Sequence, residues 1–317
     1  MAKVVIVGAG AMGCLLAARL ALGGQEVTVV DVDAQRLALI AREGIHLHDD
    51  GGDHMANVGA SLAADVAGPA DLVILMTKGM HSAAAIRSVA HLDDGQCLVL
   101  TLQNGLGNVE AIADVFDKTC ILWGVTDFPA DLEGPNAVAS HGQGHIWLGG
   151  SSAAAHAHAG MVIDWLNTGA LNAVADANVQ SAVWEKVAFN AALNALSTIT
   201  GLPVGGLDTP EGRRIAMQVI DETIATAAAL GISMDRNRLI AKTDFALANH
   251  RTHKPSMLQD RLGGRPTEIE SINGAIERFA VQAGVEVPTT RLLADLVRLG
   301  DPEALASGRT ANKDLIV

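Results

Sequence analysis

The sequence predicts an α/β protein in two parts. An N-terminal domain with a doubly wound parallel sheet (residues 1–172) precedes an all-helical C-terminal domain (residues 173–317). Three observations lead there. Short apolar runs alternate with amphipathic stretches up to about residue 149. Strand-like runs nearly vanish after residue 173, and prolines fall between helix-length segments instead. Finally, 317 residues divide into two domains of roughly 150 each.

In the first part, residues 4–7, 26–30, 72–77, 97–102 and 119–124 read as strands bounded by Gly or polar turns. Residues 12–22, 34–43, 81–90 and 108–116 read as the helices between them. Such alternation implies right-handed crossovers and a sheet covered on both faces. Residues 145–148 read as its last strand, ending at Gly149-Gly150. The Ala- and His-rich stretch 151–160 reads as a surface loop, and 161–167 as a helix. Beyond it, residues 179–200, 210–230, 236–248, 267–282 and 289–299 fit helices, with Pro203, Pro210, Pro255, Pro266 and Pro288 at the junctions, where proline is tolerated.

Composition excludes several classes of function. A net charge of -13 argues against a nucleic-acid or anionic-membrane partner. Aromatic residues make up 3% of the chain, with no Tyr, too few for a base-stacking platform. No apolar run reaches the roughly 18 residues of a membrane span, and a strand-like run starts directly after Lys3. Cys14, Cys97 and Cys120 are widely spaced and odd in number, and read as small buried hydrophobes in a reducing compartment. A cytoplasmic protein is expected. The eleven histidines include His46/His48, His156/His158 and His250/His253, but none has a companion acid or cysteine set, so no metal is expected.

Gly8-Ala9-Gly10-Ala11-Met12-Gly13 follows the first strand and opens the first helix. In that context the pattern is the dinucleotide fingerprint of a Rossmann-type fold. Gly8 permits the tight turn, Gly10 lets the backbone approach a pyrophosphate, and Gly13 lets helix and strand pack closely. The anion then sits on N–H groups at the helix N-terminus. Asp31 ends the second strand about twenty residues on, where a carboxylate bonds the adenosine ribose and repels a 2′-phosphate. With Val32 next to it, NAD(H) is favoured. Two alternatives stay open: Asp31 as N-cap of the helix near Ala34, and Arg36 as a partner for a 2′-phosphate. Lys78 and Gln103-Asn104-Gly105 follow the third and fourth strands, and so belong to the sheet edge that binds ligands.

In the second part, Lys186, Asn190 and Asn194 recur every four residues on a helix that is otherwise apolar. They lie about 40° apart and form one polar stripe. Burying an ammonium and two amides costs several kcal/mol unless partners are supplied. A network between helices would supply them, and so would a substrate facing Lys186. A distant cluster, Lys254 to Asp260 and then Gly264 to Gly274, adds Ser256 and Glu268. Local capping by Ser256 and Thr267 explains part of it.

These motifs together resemble the ketopantoate reductase (2-dehydropantoate 2-reductase) family. The resemblance rests on Gly8–Gly13, Gln103-Asn104-Gly105, Trp184-Glu185-Lys186 with Asn190 and Asn194, and Pro255-Ser256-Met257-Leu258-Gln259-Asp260 with Thr267-Glu268-Ile269. It runs in order over essentially the whole chain. It implies reduction of a 2-oxo acid to the 2-hydroxy acid by a nicotinamide cofactor, in pantothenate biosynthesis. It makes Lys186 the proton donor and brings Glu268 to both cofactor and substrate. Asn190, Asn194 and Ser256 would hold the substrate, and Asn104 would serve substrate and cofactor. Lys78 and Ala130 would touch the cofactor beside Gly8, Ala9, Gly10, Ala11, Met12, Gly13 and Asp31. NADP(H) is the family default, and a homodimer is compatible with a helical domain of this size.

The chain departs from the pattern at three places. Val32 stands where members carry an Arg for the NADP phosphate, Val204 where they carry a substrate-binding Asn, and Asp127-Phe128-Pro129 where small polar residues are usual. Asp31, Val32 and Val204 favour a variant reading, an NAD-dependent D-2-hydroxyacid dehydrogenase acting on a bulkier or more apolar acid. A non-catalytic dinucleotide sensor is the reading from another class, and it would need neither Lys186 nor Glu268.

Overall fold

The computed structural model describes residues 1–301. It groups them into two compact units, one of residues 1–103 and 107–179, the other of 104–106 and 180 onward. The first unit runs β1 (Lys3–Val7), α1 (Ala11–Leu22), β2 (Glu26–Val30), α2 (Ala34–Glu43), β3 (Ile45–Asp49), β4 (Gly52–Ala56), β5 (Gly59–Ser61), β6 (Leu72–Leu75), α3 (Ser82–Ser88), β7 (Leu98–Thr101), α4 (Asn108–Ala113), β8 (Ile121–Thr126), β9 (Asp131–Gly134), β10 (Ala137–Ser140), β11 (Ile146–Gly150), α5 (Ala153–His156), α6 (Ala159–Thr168) and β12 (Ala173–Ala175). Then come α7 (Val179–Thr200), α8 (Pro210–Ala229), α9 (Arg236–Asn249), α10 (Ser256–Leu262), α11 (Asn273–Ala283) and α12 (Pro288–Leu299).

The main sheet has strand order β12-β11-β8-β7-β6-β1-β2-β5. The six strands from β8 to β5 are parallel. Their side chains alternate between two cores, as strand geometry dictates. Val4, Ile6, Leu72, Ile74, Leu98, Leu100 and Leu122 pack in one cluster with Leu15 and Leu16 of α1. Val5, Val7, Val73, Leu75, Val99 and Ile121 pack in the other with Ile86 of α3 and Ile112 of α4. Both faces are therefore covered, and the expected doubly wound domain is present. The order reverses at β1, which has β6 on one side and β2 on the other, so the loop after β1 lies at the topological switch point.

The sheet is not parallel throughout. β11, expected as the last strand, runs antiparallel to β8, and β12 continues parallel to β11. A second sheet, ordered β4-β3-β10-β9, was not legible from the apolar runs. Its strands carry His46, His48, His54, Asp49 and Asp53 rather than an uninterrupted apolar stretch, because one face is solvated. The stretch 151–160 is no loop. Ser152 caps the short helix α5 through Ala155 N–H (3.1 Å), and α6 opens at Ala159.

The second unit is helical, as expected. α12 starts at Pro288, and Glu222 of α8 supplies the acceptors its first turn lacks. The carboxylate accepts from Thr289 N–H (2.9 Å), Thr290 N–H (2.8 Å) and the Thr290 hydroxyl (2.6 Å). The helix expected over 267–282 begins only at Asn273, and residues 267–272 form turns ahead of it. No helix among the described residues is long and apolar enough to cross a membrane.

Candidate active site

The candidate nucleotide-binding residues of the first unit lie at the carboxyl ends of β1, β6 and β7. Gly8 has φ +112° and donates its N–H to the Val30 carbonyl (2.7 Å). A Cβ there would come within 2.8 Å of the Met76 and Thr77 backbone, so only glycine lets the turn lie against the end of β6. A Cβ on Gly13 would collide with the Gly8 carbonyl oxygen. At Gly10, by contrast, nothing lies within 4 Å of that position. Gly10 is the N-cap of α1, and no side chain caps that helix end. Space at Gly10 and uncapped amides at Ala11, Met12 and Gly13 are what a pyrophosphate needs. On these observations the loop fits a dinucleotide. Gly13→Ala is expected to weaken NADH binding by roughly tenfold or more, since relieving such a clash costs about 1–3 kcal/mol. Fluorescence titration with NADH measures it.

Asp31 is not the cap of the second helix. Asp33 takes that role, accepting from Gln35 N–H (3.1 Å) and Arg36 N–H (3.0 Å). Asp31 instead accepts from Ala9 N–H (2.7 Å), Val32 N–H (2.8 Å) and Asp33 N–H (3.0 Å), which aims its carboxylate at the glycine turn. Arg36 is folded back as well, its Nη1 donating to the Ala9 carbonyl at 2.5 Å. Val32 is 95% exposed and presents no polar group. Cys14 donates weakly to the same carbonyl (3.4 Å), and burial pushes its thiol up to about 11, leaving it inert at neutral pH.

Lys78 follows β6 directly after the residues that abut Gly8, and is half-buried. Gln103 fixes that segment. Its Nε2 donates to the Thr77 carbonyl (2.5 Å) and to Ser82 Oγ (2.8 Å), while its Oε1 accepts from Thr101 Oγ1 (2.9 Å). The ends of β6 and β7 are thus tied together by a side chain whose spacing alone did not distinguish it from a turn residue. Ala130, between β8 and β9, is half-buried against the apolar cluster that also holds Ala9 and Met12.

Asn104, Gly105 and Leu106 group with the second unit. Leu106 N–H donates to the Ser271 carbonyl (2.8 Å). Gly105 has φ +90°, and a Cβ there would collide with that carbonyl, so the motif needs glycine at this position.

In the second unit the candidate residues centre on α7. Trp184 and Glu185 face different neighbours. Trp184 packs edge-on against Phe279 of α11 (5.5 Å between ring centroids). Glu185 accepts from Arg238 of α9 in a two-pronged pair (2.6 and 2.9 Å), and from Asp235 N–H (3.0 Å). One turn on, Lys242 of α9 lies 5.1 Å from the centre of the Phe189 ring. With those faces anchored, Lys186 and Asn190 remain half-buried, and Asn194 is 5% exposed. The stripe continues to Ser197, which the four-residue spacing did not reveal. Ser197 is fully buried, and its hydroxyl has no hydrogen-bond partner among the described residues.

The second cluster departs from the capping expectation. Ser256 is the exposed first residue of α10, at whose N-cap stands Pro255, and makes no capping bond. The Thr267 hydroxyl donates to Asp301 (2.9 Å) rather than capping a helix. Glu268 is half-buried in the turns before α11, and its carbonyl accepts from Ser271 and Ile272 N–H (both 3.1 Å). Val204 has its side chain packed away (3% exposed), and its N–H donates to the His253 carbonyl (2.9 Å). No group of three or more His, Cys, Asp and Glu is arranged to hold a metal among the described residues.

Comparison with known proteins covers both units. The family profile described as ketopantoate reductase PanE/ApbA matches residues 4–152, and its C-terminal companion matches residues 178–301. The chain is 32% identical over 299 residues to the 2-dehydropantoate 2-reductase of Halobacterium salinarum, covering 94% of this chain and 98% of that one. Among solved structures it is similar to D-mandelate dehydrogenase with NADH and anilino(oxo)acetate. That likeness has TM-score 0.90 and 30% identity, over 95% of this chain and 99% of the other. It is also similar to the 2-dehydropantoate 2-reductase of Geobacter metallireducens (TM-score 0.83, 29% identity, 93% and 98% covered).

Proposed function

The chain belongs to the ketopantoate reductase family, and on that premise we propose that it reduces the C2 carbonyl of a 2-oxo acid, ketopantoate or a similar acid, with Lys186 as proton donor. In this reading residues 1–172 hold the nicotinamide cofactor and residues 173–317 hold the substrate. The observation that carries it is the stripe on α7. An ammonium and two amides occupy one face of a buried helix whose other faces are anchored by Glu185, Phe189 and Trp184.

When bound, the cofactor supplies the hydride that adds to C2. The backbone amides from Ala11 to Gly13 would hold its pyrophosphate, and Asp31 its adenosine ribose, with Lys78, Ala130 and Asn104 along the remainder. As C2 is reduced, negative charge grows on the carbonyl oxygen. The Lys186 ammonium stabilises that charge and transfers one proton to the oxygen, giving the 2-hydroxy acid. Asn190, Asn194 and Ser256 donate to the substrate carboxylate and hydroxyl groups, which fixes the carbonyl against the ammonium. Glu268 orients cofactor and substrate. The three thiols are free, which suits the reducing cytoplasm where reduced nicotinamide is available.

A second reading rests on Val32 and Val204. With an apolar residue at each place, an NAD-dependent D-2-hydroxyacid dehydrogenase acting on a bulkier, more apolar acid is favoured over ketopantoate itself. One panel tests both. NADH and NADPH are each paired with ketopantoate, branched and aromatic 2-oxo acids, and the loss of reduced-nicotinamide absorbance is followed. Turnover with ketopantoate supports the first reading, and turnover confined to branched or aromatic acids supports the second. NADH binding without turnover of any acid would contradict both and leave the sensor.

A further inference from the structure

Asn273 is the first residue of α11, and no part of it is exposed. Its Nδ2 donates to the Ala191 carbonyl of α7 at 3.2 Å. That geometry fixes the orientation of the amide and leaves Oδ1 buried with no partner among the described residues. An unsatisfied buried acceptor is destabilising. A leucine, with the same branching of heavy atoms, would avoid that cost. The position therefore sacrifices stability for one directed hydrogen bond.

The bond joins two segments of the candidate site. Ala191 lies on α7 between Asn190 and Asn194, five residues after Lys186. Asn273 lies five residues after Glu268, at the other end of a tightly bonded turn. Within it the Glu268 carbonyl accepts from Ser271 and Ile272 N–H, and the Ile269 carbonyl accepts from Gly274 N–H (2.9 Å). A third segment is tied to the same turn, since the Ser271 carbonyl accepts from Leu106 and abuts Gly105, next to Asn104. The six residues from Glu268 to Asn273 thus fasten the Asn104 loop by backbone and α7 by the Asn273 side chain.

We infer that Asn273 is a positioning residue for the reaction: its amide sets the register of the Lys186–Asn190–Asn194 stripe against the turn that carries Glu268. This inference rests on the reductase reading. Asn273 touches neither substrate nor cofactor in this account and acts through α7. Shifts of about 1 Å in reacting groups cost on the order of 10²-fold in rate.

Two variants test it, each assayed as the full chain. Asn273→Leu keeps the branching of the heavy atoms and removes both the donor and the orphaned acceptor. The expected result is a kcat lowered by roughly 10- to 100-fold, while the thermal midpoint and the NADH dissociation constant hold. Asn273→Asp keeps the shape and swaps the donor for a second acceptor. Burial and the facing Ala191 carbonyl both raise the pKa of that carboxyl. Its protonated form donates as the native amide does, so kcat of this variant recovers as pH falls, on a limb that the native enzyme lacks. Native kcat in both variants would overturn the inference. So would a loss of activity that merely follows a lowered thermal midpoint, or a failure of both to fold, because Asn273 would then be structural. Native turnover by Lys186→Ala sinks the reductase reading instead, so the two failures are told apart.

Discussion

Lys186→Ala is expected to lower kcat for 2-oxo acid reduction by about 10³-fold while NADH still binds. The estimate combines two losses. A positioned general acid contributes roughly 10²–10⁴-fold, and the same ammonium stabilises the developing oxyanion inside a partly desolvated site. Binding of NADH survives because the glycine turn and Asp31 lie in the first unit and do not depend on α7. The fold also survives, because Trp184, Glu185 and Phe189 anchor the helix on its other faces. Lys186→Arg is a useful companion, as a guanidinium keeps the charge but does not give up a proton. It should bind substrate and remain slow. Steady-state kinetics and NADH fluorescence titration on the three proteins give the comparison, and turnover at the native rate by Lys186→Ala would refute the mechanism.

The second large effect concerns the cofactor. NADH is expected to surpass NADPH in kcat/KM by about 10²-fold, an interaction difference of roughly 2.7 kcal/mol. Three of the roughly four lone-pair directions of the Asp31 carboxylate are used by Ala9, Val32 and Asp33 N–H. The remaining one suits a ribose hydroxyl. A 2′-phosphate would instead meet Asp31 and the Asp33 carboxylate that caps α2. The Arg36 guanidinium is engaged through Nη1 with the Ala9 carbonyl. Val32 is the open position, and Val32→Arg should narrow the preference about tenfold by supplying a charge-assisted phosphate partner. Equal or better use of NADPH by the native chain would contradict this account.

Much of this was legible in the sequence where one physical cause dominates. The glycine turn is an example: strand, Gly8, Gly10, Gly13 and helix leave little room for another arrangement. The stripe on α7 was legible because helical spacing alone brings Lys186, Asn190 and Asn194 to one face. What was hidden depends on tertiary partners. The β3, β4, β9 and β10 sheet escaped notice because its half-solvated strands lack an apolar run. Asp31 and Asp33 both precede a helix, and only coordinates decide which one caps it. The start of α11 was misplaced because the turns over residues 267–272 are held by long-range bonds, Thr267 to Asp301 and Leu106 to Ser271. Ser197 and Asn273 were missed for a related reason. A buried polar side chain is recognised by what it lacks or reaches, and spacing carries neither.

The ammonium of Lys186 as proton source is best tested by chemical rescue of Lys186→Ala with small primary amines. The account predicts that methylammonium restores NADH-dependent reduction of the 2-oxo acid in a saturable way. It also predicts that the recovered rate follows the protonated fraction of the amine across pH. A variant that is fully active without any amine would contradict it.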